Sequence, residues 1–293
     1  MHVFVTGASG HIGSAVSLEL IQAGHEVTGL ARSDASAAAV RALGASVFRG
    51  DFADLDGLRK AAADADAVVH LGFDHLTMAA GDFAGAVATD LAAVQAIGDA
   101  LAGTGKTLIG VGLRPAGDAR RDAAIAASPR SVVSRAIDEL GRRDVRTILV
   151  AIPSVTHSDR DKLGFVPQLI RIARQAGVSG YVGEGANRWP AGHTLDVAAL
   201  YRLALDKAPA GAQLYAAAEA GIPVREIAET IGRHLGVPAV SIPAERAADH
   251  FATFPFITLD LTMPDGGTRE LLGWEPVRPG LIADLNEGHY FTA

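Results

Sequence analysis

Eight residues constrain this chain more than any others: Thr6-Gly7-Ala8-Ser9-Gly10-His11-Ile12-Gly13. They stand between an apolar run, His2 to Thr6, and a helical pattern from His11 to Ala23. A strand that turns through glycine straight into a helix is the opening of a βαβ unit. Gly7 permits the tight turn, Gly10 lets a ligand approach the backbone, and Gly13 lets helix and strand pack closely. The amides at the start of that helix then face an anion, and a pyrophosphate suits them.

The rest of the first half keeps the same rhythm. Further strands are predicted at Glu26–Ala31, Ser46–Gly50, Ala67–Leu71, Thr107–Val111 and Arg146–Ile152, with helices at Ala35–Leu43, Asp54–Ala62, Phe83–Ala102 and Pro129–Arg142. Pro129 suits a first helical turn, with Ser128 as its cap. Right-handed crossovers make this an α/β fold, a doubly wound parallel Rossmann sheet with a ligand crevice at the carboxyl ends of its strands. After Pro153 the rhythm changes. Helices are expected at Phe165–Ala176, Leu195–Lys207, Pro223–Leu235 and Ala244–Phe251, with short strands at Ser179–Gly183, Gln213–Ala216 and Ala239–Ile242. A turn rich in Gly, Asn and Pro is expected up to Pro190, and two short helices around Gly273-Trp274-Glu275-Pro276. The reading is a nucleotide-binding domain over 1–153 and a smaller substrate lobe over 154–293, packed on it because no linker separates them.

Composition closes off other classes. With 49% hydrophobic residues the chain can build a core, and a net charge of −7 gives no basic footprint for nucleic acid or an acidic membrane. The absence of cysteine removes disulfides, thiol nucleophiles and iron–sulfur clusters. No histidine or carboxylate spacing reads as a metal site. No apolar run approaches the ~18 residues of a membrane span, and Met1 to Gly7 reads as a buried strand rather than a signal peptide. A soluble cytoplasmic protein acting on a small molecule is expected.

The second strand ends in Leu30-Ala31-Arg32-Ser33, without the acidic residue that would meet a ribose 2′-hydroxyl. The Arg32 guanidinium suits a 2′-phosphate instead, and Ser33 can add a hydrogen bond, although Asp34 follows closely. The cofactor expected is therefore NADP(H).

The glycine loop, Gly50-Asp51-Phe52 and Val68-Val69-His70-Leu71-Gly72 together resemble the extended short-chain dehydrogenases/reductases. The likeness continues through Gly183-Glu184-Gly185, His193-Thr194-Leu195-Asp196-Val197-Ala198 and Leu272–Pro276, and is strongest toward the atypical, NAD-dependent epimerase/dehydratase-like branch. It implies a cofactor-binding set of Thr6, Gly7, Ser9, Gly10, His11, Ile12, Gly13, Arg32, Ser33, Asp51, Phe52, Leu71, Gly72, Arg135 and Pro153. In that family the residue at Asp51 contacts the adenine amino group, and the segment at Leu71-Gly72-Phe73 passes the ribose. Relatives often pair through the fourth and fifth helices, which makes a homodimer an expectation of the resemblance. The segment at His193 and Asp196 ties lobes together in relatives, and both residues read as structural.

The catalytic pattern departs from the family. Its members carry a Tyr-x-x-x-Lys pair on the fifth helix, in which Tyr moves the carbonyl proton and Lys holds the ribose. Here Ser131 stands at the Tyr place and Arg135 at the Lys place, and no Tyr precedes a Lys by four residues anywhere. Arginine does not surrender a proton near neutral pH, and an unassisted serine is a poor acid. The candidate proton donors are His157, expected on a loop after the sixth strand, then Asp74 and His75 after the fourth, then Tyr181. Three functions fit. One is an NADP(H)-dependent reductase of a carbonyl or activated double bond in a small apolar substrate. Another is an epimerase or dehydratase that uses a bound cofactor. The third is a non-enzymatic NADP(H)-binding regulator.

Overall fold

Parallel strands and covering helices alternate through the first half of the computed structural model, which describes residues 1–114, 119–252 and 254–292. In chain order these elements are β1 (His2–Thr6), α1 (His11–Gln22), β2 (Glu26–Ala31), α2 (Asp34–Ala42), β3 (Ser46–Arg49), α3 (Leu55–Asp64), β4 (Ala67–His70), α4 (His75–Ala79), α5 (Phe83–Leu101), β5 (Thr107–Val111), α6 (Ala119–Ala127), α7 (Ser131–Leu140) and β6 (Arg146–Ala151). There follow β7 (Val155–His157), α8 (Phe165–Ala176), β8 (Ser179–Val182), β9 (Arg188–His193), α9 (Thr194–Lys207), β10 (Ala212–Tyr215), β11 (Glu219–Pro223), α10 (Val224–Leu235), β12 (Ala239–Ile242), α11 (Ala247–His250), α12 (Thr268–Leu272) and α13 (Leu281–Asn286).

The chain divides into two units whose sequences interleave. The first comprises Met1–Ala151, Ala198–Leu214 and Gly266–Trp274. Its seven-stranded sheet has the order β10-β6-β5-β4-β1-β2-β3, so the first unit takes an edge strand from beyond residue 153. β1 to β6 are mutually parallel. The side on which successive strands are added switches at β1 and β4, which puts a topological switch point between Thr6 and His70. Successive side chains of a strand alternate faces. On one face Phe4, Val68, Leu108 and Leu149 meet Leu58, Ile97 and Ile137 of α3, α5 and α7 in a fully buried core. On the other, Gly29 leaves room for Val40 of α2 and for Ala8. Arg146 of β6 grips the carbonyl end of α9, donating to the carbonyls of Ala204, Leu205 and Ala208 and to the Thr107 hydroxyl.

The second unit comprises Ile152–Val197, Tyr215–Asp265 and Glu275–Ala293. It holds a three-stranded sheet in the order β11-β9-β7, a parallel pair β12-β8, and a core around Trp189, Ile227, Phe254 and Leu281.

Most predicted elements are present within a residue or two. Elements α4, α6, β7 and β11 stand where none was expected, and two expected segments differ. The turn expected up to Pro190 is strand β9 in its last part, and Pro190, lacking an N–H, falls where the ladder with β11 shifts register. The helix expected from Pro129 begins at Ser131, with Arg130 at its N-cap and no side-chain cap; Ser128 instead accepts the Ser131 amide in the preceding turn. Among the described residues, no helix is long and apolar enough to cross a membrane.

Candidate active site

The first unit carries a connected set of polar groups at the switch point. Thr6 and His70 are neighbours on β1 and β4. The Thr6 hydroxyl lies 2.8 Å from His70 Nδ1 and accepts the Gly72 amide at 3.0 Å, which fixes the two strand ends to each other. Gly7, at φ +70°, turns the chain here, and a Cβ on it would lie 2.9 Å from the Gly72 nitrogen. A Cβ on Gly13 would run into the Gly7 carbonyl. The loop and the first turn of α1 thus interlock through bare backbone.

Four helices of this unit, α2, α3, α4 and α5, begin under a side-chain cap: Ser33, Asp54, Asp74 and Asp82. α1 begins at Gly10 with no side-chain cap and no acid in its first turn. Its leading amides and positive dipole end suit a dinucleotide's diphosphate, and the glycine contacts show why no side chain fills that space. Ser9 and Gly10 are exposed, and His11 and Ile12 half-buried, along this rim.

At the end of β2, Arg32 is exposed, as a 2′-phosphate contact requires. Asp34 is occupied by Arg49 at 3.0 Å, so the acid that weighed against the phosphate has a cation of its own. Ser33 differs from expectation: its hydroxyl and that of Ser36 form a reciprocal capping box on α2. Asp51, exposed at the end of β3, accepts the Ala53 amide, and the Phe52 ring covers Gly72, which explains the glycine there. Leu71 is half-buried beside it.

Inward from Thr6, His70 Nε2 lies 2.9 Å from Asp90 Oδ1, and Arg130 donates to Asp90 Oδ2 at 3.0 Å. The Asp90 side chain is wholly buried on α5. Burial alone pushes its carboxyl up, but His70 and Arg130 outweigh that and hold it below the usual carboxylate range. The Arg130 guanidinium lies over the Phe73 ring at 4.5 Å. His75 packs edge-on against the same ring, with centroids 5.3 Å apart. Loss of solvent around its ring, then the Arg130 charge, hold His75 below the ordinary imidazole value against the pull of Asp74. Asp74 itself caps α4, and hydrogen bonds from Thr77 foremost hold it low, with Arg32 adding to them. On α7, Arg135 donates to Ser131 Oγ at 3.0 Å, so the two family places face each other one turn apart. The strand end at Gly112-Leu113 carries no serine, yet Ser134 Oγ accepts the Leu113 amide.

Two expectations need correction. His157 is not on an open loop: it ends β7 in the second unit, fully buried, with Nδ1 on Asp284 Oδ2 at 2.8 Å and its backbone carbonyl accepting the Thr194 hydroxyl. A ring enclosed in that way has no face for a substrate. Tyr181 is a core aromatic of the second unit under the Arg225 guanidinium. Pro153 is buried beside Gly192 in the same unit. His193 and Asp196 are structural there, as read: His193 Nδ1 accepts the Leu195 amide, and Asp196 accepts those of Val277 and Arg278. Trp189 packs beneath a cluster of phenylalanines and donates to the Leu259 carbonyl. Asp284, Glu287 and His289 bring ligand-type atoms within 4.8 Å of one another, at the carboxylate that holds His157.

Sequence reasoning missed Asp90 and Arg130. The signal was present: Asp90 interrupts the apolar stripe Ala86, Val87, Ala93, Val94, Ile97 of α5, and a charge inside such a stripe needs partners.

Comparison with known proteins agrees with this fold. The model of the NAD dependent epimerase/dehydratase family matches residues 3–108. An uncharacterized protein of Saccharomyces cerevisiae is 42% identical over 99% of both chains. A 2-alkyl-3-oxoalkanoate reductase of Shewanella oneidensis is 39% identical over 70 residues, 24% of this chain and 18% of that protein. Among solved structures, a dTDP-glucose 4,6-dehydratase from Streptomyces venezuelae with NAD bound aligns with a TM-score of 0.73 and 18% identity, covering 98% of this chain and 96% of its own.

Proposed function

The chain belongs to the NAD-dependent epimerase/dehydratase family of oxidoreductases, and within that family we propose that it is an NADP(H)-dependent reductase of a small carbonyl compound. The observation that carries the reading is the pairing of an uncapped α1 N-terminus with an exposed Arg32 whose neighbour Asp34 is met by Arg49. The α1 amides would hold the diphosphate, and Arg32 the extra phosphate, while Arg135 stands where the family holds the nicotinamide ribose.

Bound NADPH would supply a hydride to the carbonyl carbon. The proton for the oxygen then has to come from this chain, and His75 is the best-placed donor. It opens α4 just beyond β4, lies against Phe73, and carries an imidazole, which can give and take a proton near neutral pH. Asp74 is committed to capping α4, and Ser131 to Arg135. The Shewanella reductase, whose name describes reduction of a 3-oxo compound, supports the same direction over the segment it shares.

The test has two arms. Titration of the protein with NADPH and NADH should show tighter NADPH binding, and Arg32→Ala should remove the difference, about ten- to a hundredfold. Equal affinities in the unaltered protein would refute the NADP(H) assignment. A panel of aldehydes and ketones, followed by loss of nicotinamide absorbance, should reveal turnover. Tight cofactor binding without turnover on any carbonyl would favour a cofactor-assisted non-redox enzyme or a regulator.

A further inference from the structure

Arg130 is not explained by the reading above. A carboxylate placed wholly inside a helix–sheet interface is costly, and His70 alone needs no more than a neutral acceptor. A full charge at Asp90 is useful if it has to fix a cation. It does so from one side, through Oδ2 at 3.0 Å, while the Phe73 ring supports the guanidinium from another, at 4.5 Å. The side chain remains one-third exposed (33%), and one of its five N–H donors is committed to Asp90. A fork held on two sides and open on a third is pre-organised to receive a planar anion.

Its place in the fold gives the anion an identity. Arg130 stands at the N-terminal boundary of α7, directly before Ser131, and His75 packs against the same Phe73 ring. Arg130 is near enough to lower the His75 pKa by its charge. The cation and the proton donor therefore flank one aromatic side chain.

We infer that Arg130 recognises a carboxylate on the substrate, so that the compound reduced is an oxo acid with its carbonyl toward His75. The inference rests on the reductase reading for its chemistry, though not for the binding event. A bidentate fork supplies orientation, and Asp90 holds that fork in place.

The experiment compares acetoacetate with methyl acetoacetate, which shares the ketone and lacks the charge. With the full chain and NADPH, acetoacetate should be the better substrate. Arg130→Met should raise its KM by about 10- to 100-fold, a loss well beyond whatever the ester suffers from the changed surroundings of His75, and Arg130→Lys should restore part of it. Because Arg130→Met strands Asp90, the double variant Asp90→Leu/Arg130→Met, which removes both charges, is measured beside it. Calorimetric titration of acetoacetate into the NADP⁺-loaded protein reads binding without turnover. Binding lost in the Met variants supports the inference even if neither probe is reduced, an outcome that would sink only the reductase reading. Equal binding in wild type and variants, equal absence of binding, or equal losses for acid and ester would overturn it. So would a fall in NADPH affinity that matches the fall for acetoacetate, which would make Arg130 a cofactor contact.

Discussion

Asp90→Leu is the substitution whose cost can be worked most directly from the structure. It strands two partners at once: His70, whose side chain is 4% exposed, and Arg130, which is one-third exposed. Breaking a buried ion pair by removing one member costs about 3–5 kcal/mol. The Arg130 share is to be discounted, because its guanidinium can turn partly to water. The His70 share remains close to its full value, since a buried imidazole without its acceptor loses about 1.5–3 kcal/mol. The net expectation is about 3 kcal/mol, a fall in Tm of about 5 °C for a chain of this size. Asp90→Asn keeps an acceptor for His70 and loses the charge, so about half that loss is expected. The carboxyl is held below the ordinary value near 3.9, so its contribution is present above that pH and is lost as pH falls through the depressed value. Chemical denaturation from pH 7 down to pH 3 should therefore show the gap between wild type and Asp90→Leu closing only at the acid end. Asp99→Leu, at a half-exposed pair with Arg143, is the control. An Asp90→Leu loss no larger than the control's, or one independent of pH, would refute the reasoning.

Other substitutions separate the roles assigned here. Gly13→Ala sets a methyl group against the Gly7 carbonyl and should weaken NADPH binding by at least tenfold, about 1.4 kcal/mol; fluorescence titration would show it. His75→Phe should lower kcat by ~10²–10⁴ with NADPH affinity unchanged, and the wild-type rate of reduction should fall as pH rises through a value below the ordinary imidazole ~6.5. His157→Phe should leave kinetics alone and destabilise the second unit by about 2 kcal/mol, because it leaves Asp284 buried beside a ring that cannot donate. Arg146→Met strips the carbonyl end of α9 of four hydrogen bonds and should cost about 2 kcal/mol in urea unfolding.

The first unit was legible because its signals are local. A glycine turn and alternating apolar runs each specify backbone geometry within a few residues, and β1 to β6 follow them. β9 was hidden because Pro190 and Gly192 read as turn formers, and a strand that tolerates them depends on a register shift in a distant partner. At the site, the places of Ser131 and Arg135 followed from helical spacing. The Asp90–Arg130 pair did not, because it joins residues forty positions apart. His157 was misplaced for a related reason: its partner Asp284 lies 127 residues later, and nothing near His157 announces that it will be enclosed.

The order in which the strands are synthesised sets when the sheet can be completed. β6 ends at Ala151, yet the strand that flanks it, β10, begins at Ala212. A nascent chain, or a fragment cut at the change of rhythm near Pro153, would present the outer edge of β6 with its ladder groups unpaired. That edge is apolar and fully buried along Ile148, Leu149 and Val150, the composition of a self-pairing strand. Expression of the nucleotide-binding half alone is therefore expected to yield aggregate, whereas a circular permutant that begins near residue 198 would deliver β10 ahead of β6 and keep the edge covered from the start.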